Sequence, residues 1–89
     1  MDISKCASAG TMESSDAYVE IEPSQDGLCI QLESVVQKQF GEKIETVIRE
    51  VLKEYGIENA GVRVIDRGAL ECVIRARVET AVLRGKGEN

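Results

Sequence analysis

Between Val36 and Tyr55 the apolar side chains recur at intervals of three and four: Val36, Phe40, Ile44, Val47, Ile48, Val51, Leu52 and Tyr55. That spacing gathers them into one stripe along a helix, and a helix with a single apolar stripe needs an apolar surface to lie on. The segments on either side of it read with a different period. Before the helix, Val19 and Ile21 alternate with Tyr18, Glu20 and Glu22, and Leu28, Ile30 and Leu32 alternate with Cys29, Gln31 and Glu33, the pattern of half-buried strands. After it, Val62 and Val64 in GVRVI share a face in the same way.

The boundaries carry their own signals. Ser34 followed three residues later by Gln37 fits a capping box at the helix start, each side chain satisfying a backbone N–H that the first turn leaves free. Gly41, inside the stripe, costs about 1 kcal/mol relative to alanine, so a kink or a late start is expected there. Gly56 suits the left-handed closing residue, with Ile57 folding back as its apolar contact. Pro23 ends the first strand, and the turn dipeptide Asp26-Gly27 leads into the second, so these two strands are expected to pair as a hairpin.

The last stretch, ALECVIRARVETAVLRG, fits both periods. Leu70, Cys72, Ile74, Ala76 and Val78 alternate, while Leu70, Val73, Ile74, Arg77, Val78, Ala81 and Val82 share a helical face. Its length and its Ala, Leu, Glu and Arg content favour helix. The expected architecture is therefore a single small α+β domain in the order ββαβα, a short sheet covered on one face by two helices. Residues 1–15, rich in Ser, Ala, Gly and Thr without a period, read as a flexible arm, 16–84 as the folded domain and 85–89 as a frayed tail.

Chemistry is limited by what the chain lacks. With 89 residues and no histidine, it has neither the size for a deep cleft of its own nor the base of a Ser-His-Asp or Cys-His system. One phenylalanine and no tryptophan leave an aliphatic core. Cys6, Cys29 and Cys72 are widely spaced, with no CxxC pair, and are expected as buried or half-buried thiols in a reducing compartment, Cys6 being the most reactive. No metal site, phosphate-cradling glycine loop, apolar span or signal segment is visible, so a cytoplasmic, membrane-free protein is expected. The net charge of -5 argues against nucleic acid as a partner. Residues 61–89 nevertheless hold six basic and four acidic side chains, and Arg63, Arg67, Arg75, Arg77 and Arg84 are candidates to meet an acidic partner or a phosphate.

One segment stands out. In AGTMESSDA, Ser14 and Ser15 sit between Glu13 and Asp16, and the nearest lysine, Lys5, is poorly placed to activate either hydroxyl. Three readings fit: loop-forming residues only, a phosphorylation site beside acids in a regulatory module, or a serine that holds a covalent carrier arm. Residue physics does not choose among them.

The order of segments does. AGTMESSD, a strand, a DG turn, VVQKQFG, a helix ending VLKEYG, and DRGALECVIRARVETAVLR together closely resemble the acyl carrier protein, or gamma subunit, of bacterial citrate lyase, over nearly the whole chain from Ala9 to Arg84. The resemblance implies a non-catalytic carrier in which the serine of a GT[LM]ES segment, here Ser14, bears 2'-(5''-phosphoribosyl)-3'-dephospho-CoA. It implies attachment by a prosthetic-group transferase, an alpha subunit exchanging acetyl for citryl on the arm's thiol, and a beta subunit cleaving the citryl thioester to oxaloacetate. Ser15 is then a neighbour, at a position where such sequences also accept a smaller residue. The carrier subunit of malonate decarboxylase, with the same type of group, is the alternative, against which stand KQFG and RGALECVIRAR. The DSL motif of fatty-acid-type carriers is absent, so their helical bundle is not expected.

Overall fold

The structure is a computed structural model that describes residues 2–34 and 37–87, and of residues 37–40 the backbone alone. Its elements run β1 (Ala7–Gly10), β2 (Ala17–Glu22), β3 (Leu28–Ser34), α1 (Gln37–Glu54), β4 (Ala60–Asp66) and α2 (Glu71–Gly85). The α+β class and the two helices agree with the sequence reading, and a further strand precedes the expected set.

That strand is the first difference. Residues 1–15 read as a loose arm, yet Ala7–Gly10 pairs antiparallel with β2, from Ala7 opposite Ile21 to Gly10 opposite Tyr18. Ile3 and Ala9 are buried. The backbone N–H groups of Ser4 and Lys5 donate to the Gly85 carbonyl at 2.9 and 3.1 Å, and Arg84 Nη1 donates to the Ser8 carbonyl at 2.8 Å. Asp2 accepts the N–H groups of Glu58 and Asn59 at 2.8 and 3.1 Å. Small residues with no apolar period leave no strand signature, but they let β1 lie close against α2. The same contacts order the expected frayed tail as far as it is described: Gly85 is buried, and a Cβ there would meet Ile3 Cγ2 at 3.0 Å and Ile21 Cγ2 at 3.1 Å.

The second difference is the hairpin. β2 and β3 are not neighbours: the sheet order is β1-β2-β4-β3, with β2 antiparallel and β3 parallel to β4. β4 is buried along nearly its whole length, at Ala60, Val62, Val64, Ile65 and Asp66, and so takes the central place between two half-buried strands. The residues 23–27 that join β2 to β3 span the two gaps, each ~4.8 Å, that β4 creates. They are tied to it by Gly27 N–H donating to Asn59 Oδ1 at 2.9 Å and Ala60 N–H to the Gly27 carbonyl at 3.1 Å. A parallel β3/β4 pair requires a crossover, which α1 provides.

α1 lays Ile44, Val47, Ile48, Val51 and Leu52 into the core as its stripe demands. Full burial of Ile48, Val51 and Leu52 is worth roughly 1.5–3 kcal/mol each. The helix begins at Gln37 and passes through Gly41. It ends as expected: Gly56 has φ 69°, its N–H donates to the Lys53 carbonyl at 3.0 Å, and Ile57 N–H donates to the Leu52 carbonyl at 2.9 Å, the paired bonds of a Schellman motif. Ser34 closes β3 and donates to Asp66 Oδ2 at 2.8 Å; the capping role expected with Gln37, and the stripe positions Val36 and Phe40, lie outside the described residues and side chains. The ambiguous last stretch is helical from Glu71. All three cysteines are exposed, where burial or half-burial was expected; Cys6 lies ahead of the edge strand β1, and Cys29 points off the open face of the sheet.

Candidate functional site

The loop from β1 to β2 carries both serines, and it is built rather than slack. Thr11 Oγ1 accepts the Glu13 N–H at 3.2 Å and donates to Asp16 Oδ2 at 2.7 Å. Asp16 N–H donates to the Glu13 carbonyl at 3.2 Å, closing a four-residue turn with Ser14 and Ser15 at its two corners. Ser15 N–H and the Asp16 carbonyl then both bond to Arg67, through its carbonyl and its N–H, at 2.9 Å each. Two loop residues thus oppose one residue beyond β4, a bulge whose first position takes the left-handed conformation.

Ser15 holds that position, with φ 66°. A residue with a Cβ is disfavoured there by roughly 1–2 kcal/mol, which gives a physical reason for the site to accept glycine. Ser14 occupies the other corner and is exposed, and neither hydroxyl makes a hydrogen bond among the described residues. The two adjacent serines are therefore not equivalent. Ser15 faces a backbone constraint, whereas Ser14 presents an unencumbered oxygen.

Asp16 fastens the loop to α2. Arg77 Nε donates to Asp16 Oδ1 at 3.0 Å and Nη2 to Oδ2 at 3.1 Å, a bidentate pair across 61 residues of sequence. With the Thr11 hydroxyl and the Ala17 N–H also donating, the Asp16 carboxyl is held well below the usual carboxylate range, at about 2. A carboxyl lowered on folding stabilises the fold fully above its unfolded value near pH ~3.9, and the contribution disappears as pH falls through the folded value. Carboxyl-carbon NMR is accordingly expected to place the Asp16 midpoint near 2, and in Arg77→Gln to move it up toward the ordinary range. The same variant should flatten the loss of urea stability between about pH 4 and pH 2; an unchanged Asp16 titration would show that the pair does not form.

The five arginines do not make one patch. Arg63 pairs with Glu20 at 2.9 Å, Arg75 with Glu50 and Glu54 at 3.0 and 3.5 Å, Arg77 with Asp16, and Arg84 with the Ser8 carbonyl. Arg67, exposed beside the serine loop, is the one whose guanidinium makes no hydrogen bond or ion pair among the described residues. The roles of Thr11, Asp16 and Arg77 as a clamp were not legible beforehand, since nothing local in DRGALECVIRAR marks Arg77 as the partner of an aspartate near the N-terminus. Among the described residues no group of three or more His, Cys, Asp or Glu side chains stands ready to hold a metal ion, and no helix is long and apolar enough to cross a membrane.

Residues 4–85 match the family model described as the malonate decarboxylase delta subunit (MdcD), an acyl carrier family. The citrate lyase acyl carrier protein of Latilactobacillus sakei is 49% identical over 88 residues, 99% of this chain and 87% of that one. Citrate lyase acyl carrier protein 2 of Salmonella paratyphi A is 54% identical over 85 residues, 94% of this chain and 88% of that one. Among solved structures, a chain of a Pseudomonas malonate decarboxylase hetero-tetramer in complex with malonate matches with a TM-score of 0.79 at 25% identity, over 90% of this chain and 82% of that one.

Proposed function

The chain belongs to the citrate lyase acyl carrier protein family, and from that premise we propose that it is the acyl-carrying subunit of a citrate lyase, modified on Ser14 and without catalysis of its own. Acyl carriers of this kind hold a covalently attached prosthetic group. The group we assign is phosphoribosyl-dephospho-CoA, which when bound supplies a thiol on a long arm for acetyl and citryl thioesters. The observation that supports the site is the exposed hydroxyl of Ser14, without a hydrogen-bond partner among the described residues, at the corner of a held turn.

The residues present fit such a group. A serine that has only to be an attachment point needs accessibility, and any base for the attachment step belongs to the transferase that performs it. Glu13 and Asp16 are the local acids, but Asp16 is neutralised by Arg77, and Arg67, whose guanidinium makes no hydrogen bond or ion pair among the described residues, adds a cation on the turn bonded to the serine loop. The bidentate clamp keeps the anchor fixed to α2, so the reach lies in the group and the protein loop stays with the domain. Tethering raises the effective concentration of the carried acyl group at each partner's active site, and the partners we assign are the alpha (acyl transferase) and beta (citryl lyase) subunits.

A malonate decarboxylase carrier is the second reading, favoured by the description of the family model and by the structural match. The identities of 49 and 54% to citrate lyase carriers, against 25% to the malonate decarboxylase chain, support the first. Intact mass spectrometry of the protein purified from its own cells tests it. We expect an increment equal to phosphoribosyl-dephospho-CoA, mapped by fragmentation of the tryptic peptide 6–38 to Ser14. A phosphate-sized increment would support a regulatory module instead, and an unmodified chain inside an active complex would overturn the carrier reading.

A further inference from the structure

A cleft of about 290 Å³ opens between the middle of α1 and the start of α2. Its apolar wall is made by Ile44, Val47, Ala69, Leu70 and Ile74, and Lys43 pairs with Glu71 across its mouth at 3.6 Å. Leu70 is 71% exposed, the most exposed large apolar residue described. An apolar side chain so open at the rim of an apolar hollow marks a surface made for contact.

Its position relative to the serine loop identifies the occupant. The buried carboxylate of Asp66 accepts the N–H groups of Gly68 and Ala69 at 3.1 and 2.9 Å, and this turn sets Ala69 and Leu70 as one wall of the cleft. The same turn contains Arg67, whose backbone is bonded on both sides to the serine loop. Ser14 and the cleft therefore flank a single short turn, which also carries the exposed side chain of Arg67. A second hollow, about 550 Å³, lies over the open face of the sheet. It runs from Tyr18, beside the serine loop, along the strands to Cys6, Pro23, Ser24 and Gly61 at their far ends, and the Glu20–Arg63 ion pair lies in it, so its lining is polar where that of the α1–α2 cleft is apolar.

We infer that the cleft is the resting place of the chain's own prosthetic arm: Arg67 meets its phosphate next to Ser14, and the apolar wall receives its thiol end. This rests on the carrier reading above. An arm long enough to visit the active sites of other subunits is long enough to reach a cleft on its own domain. The volume, at the lower edge of the ~300–1,000 Å³ typical of ligand pockets, suits the end of an arm and not the whole group. Held there, the end of the arm is shielded from water between visits, and a partner subunit gains it by offering a better site.

The test uses the loaded protein with methyl labelling, its modification first verified by mass. Loading is expected to shift the methyl resonances of Leu70, Val47, Ile44 and Ile74 and to give cross-peaks from them to the arm. Leu70→Glu, at an exposed position that leaves the core intact, should load equally, abolish those cross-peaks and make alkylation of the arm's thiol several-fold faster. Arg67→Gln, compared with the unaltered chain only after full loading is verified by mass, should weaken the same cross-peaks. Full loading with shifts confined to residues 11–16 would overturn the resting site while leaving the carrier reading standing; failure of Ser14 to load at all would overturn both.

Discussion

Ser14→Ala is expected to abolish both the mass increment and citrate cleavage by the assembled complex, while Ser15→Ala keeps both. The two residues are adjacent and carry the same functional group, so the contrast separates position from chemistry. Ser14 sits at the first corner of the turn with its hydroxyl exposed and without a hydrogen-bond partner among the described residues, so removing the oxygen leaves every described bond of the turn in place. The turn itself is made by Thr11, Asp16 and backbone bonds, and none of these is lost with Ser14. Thermal stability and assembly with partner subunits should therefore match the unaltered chain. Ser15 contributes through its backbone, at φ 66°, and alanine there pays the same conformational cost as serine. An increment that persists in Ser14→Ala, or one lost in Ser15→Ala, would move the attachment to the other corner.

How much of this was visible beforehand depended on the range of the interaction. Signals confined to a few residues were readable: the stripe of α1, and the closing bonds at Gly56 and Ile57, which involve only Leu52 and Lys53. The location of the serine pair in a loop before a strand was equally local. Pairings between distant segments were not readable. The alternation in β2 and β3 shows that each has one apolar face, but says nothing of which edge meets which, and β4 competes for the same edges with more burial. β1 was missed because Ala7, Ser8, Ala9 and Gly10 show no alternation of apolar and polar residues; the segment is held by α2, 76 residues away at Arg84. The candidate site divides the same way. The expectation at Ser14 came from the resemblance, through the serine's place after Glu13 in the GT[LM]ES segment, whereas the clamp on Asp16 and the isolation of Arg67 among the described residues depend on where four other arginines find their partners.

The missed strand also sets the second large effect, at Gly10. This residue ends β1 and opens the serine loop at φ 92°, a backbone conformation that L side chains rarely adopt. A Cβ added there collides with the Ala17 carbonyl oxygen and comes within 3.2 Å of Arg77 Cδ. Relief in one direction pushes on the first residue of β2, whose backbone is bound to β4; relief in the other pushes on the arginine that clamps Asp16. Gly10→Val therefore combines strain in a forbidden backbone region, about 1–3 kcal/mol, with overpacking, typically ~1–3 kcal/mol. A total of about 3 kcal/mol is a large share of the ~5–15 kcal/mol that holds a domain together. At ~4–8 °C per kcal/mol for a domain of this size, thermal unfolding should show a Tm lower by about 15 °C. The effect on function has a different signature from that of Ser14→Ala. Ser14 keeps its hydroxyl in Gly10→Val, so modification should be slowed and not abolished, because the transferase meets a loop no longer held in one shape. The Asp16 carboxyl should titrate higher as Arg77 is displaced. A Gly10→Val protein with unaltered Tm and an Asp16 midpoint still near 2 would show that the close approach of Gly10 to Ala17 does not set the geometry of the loop.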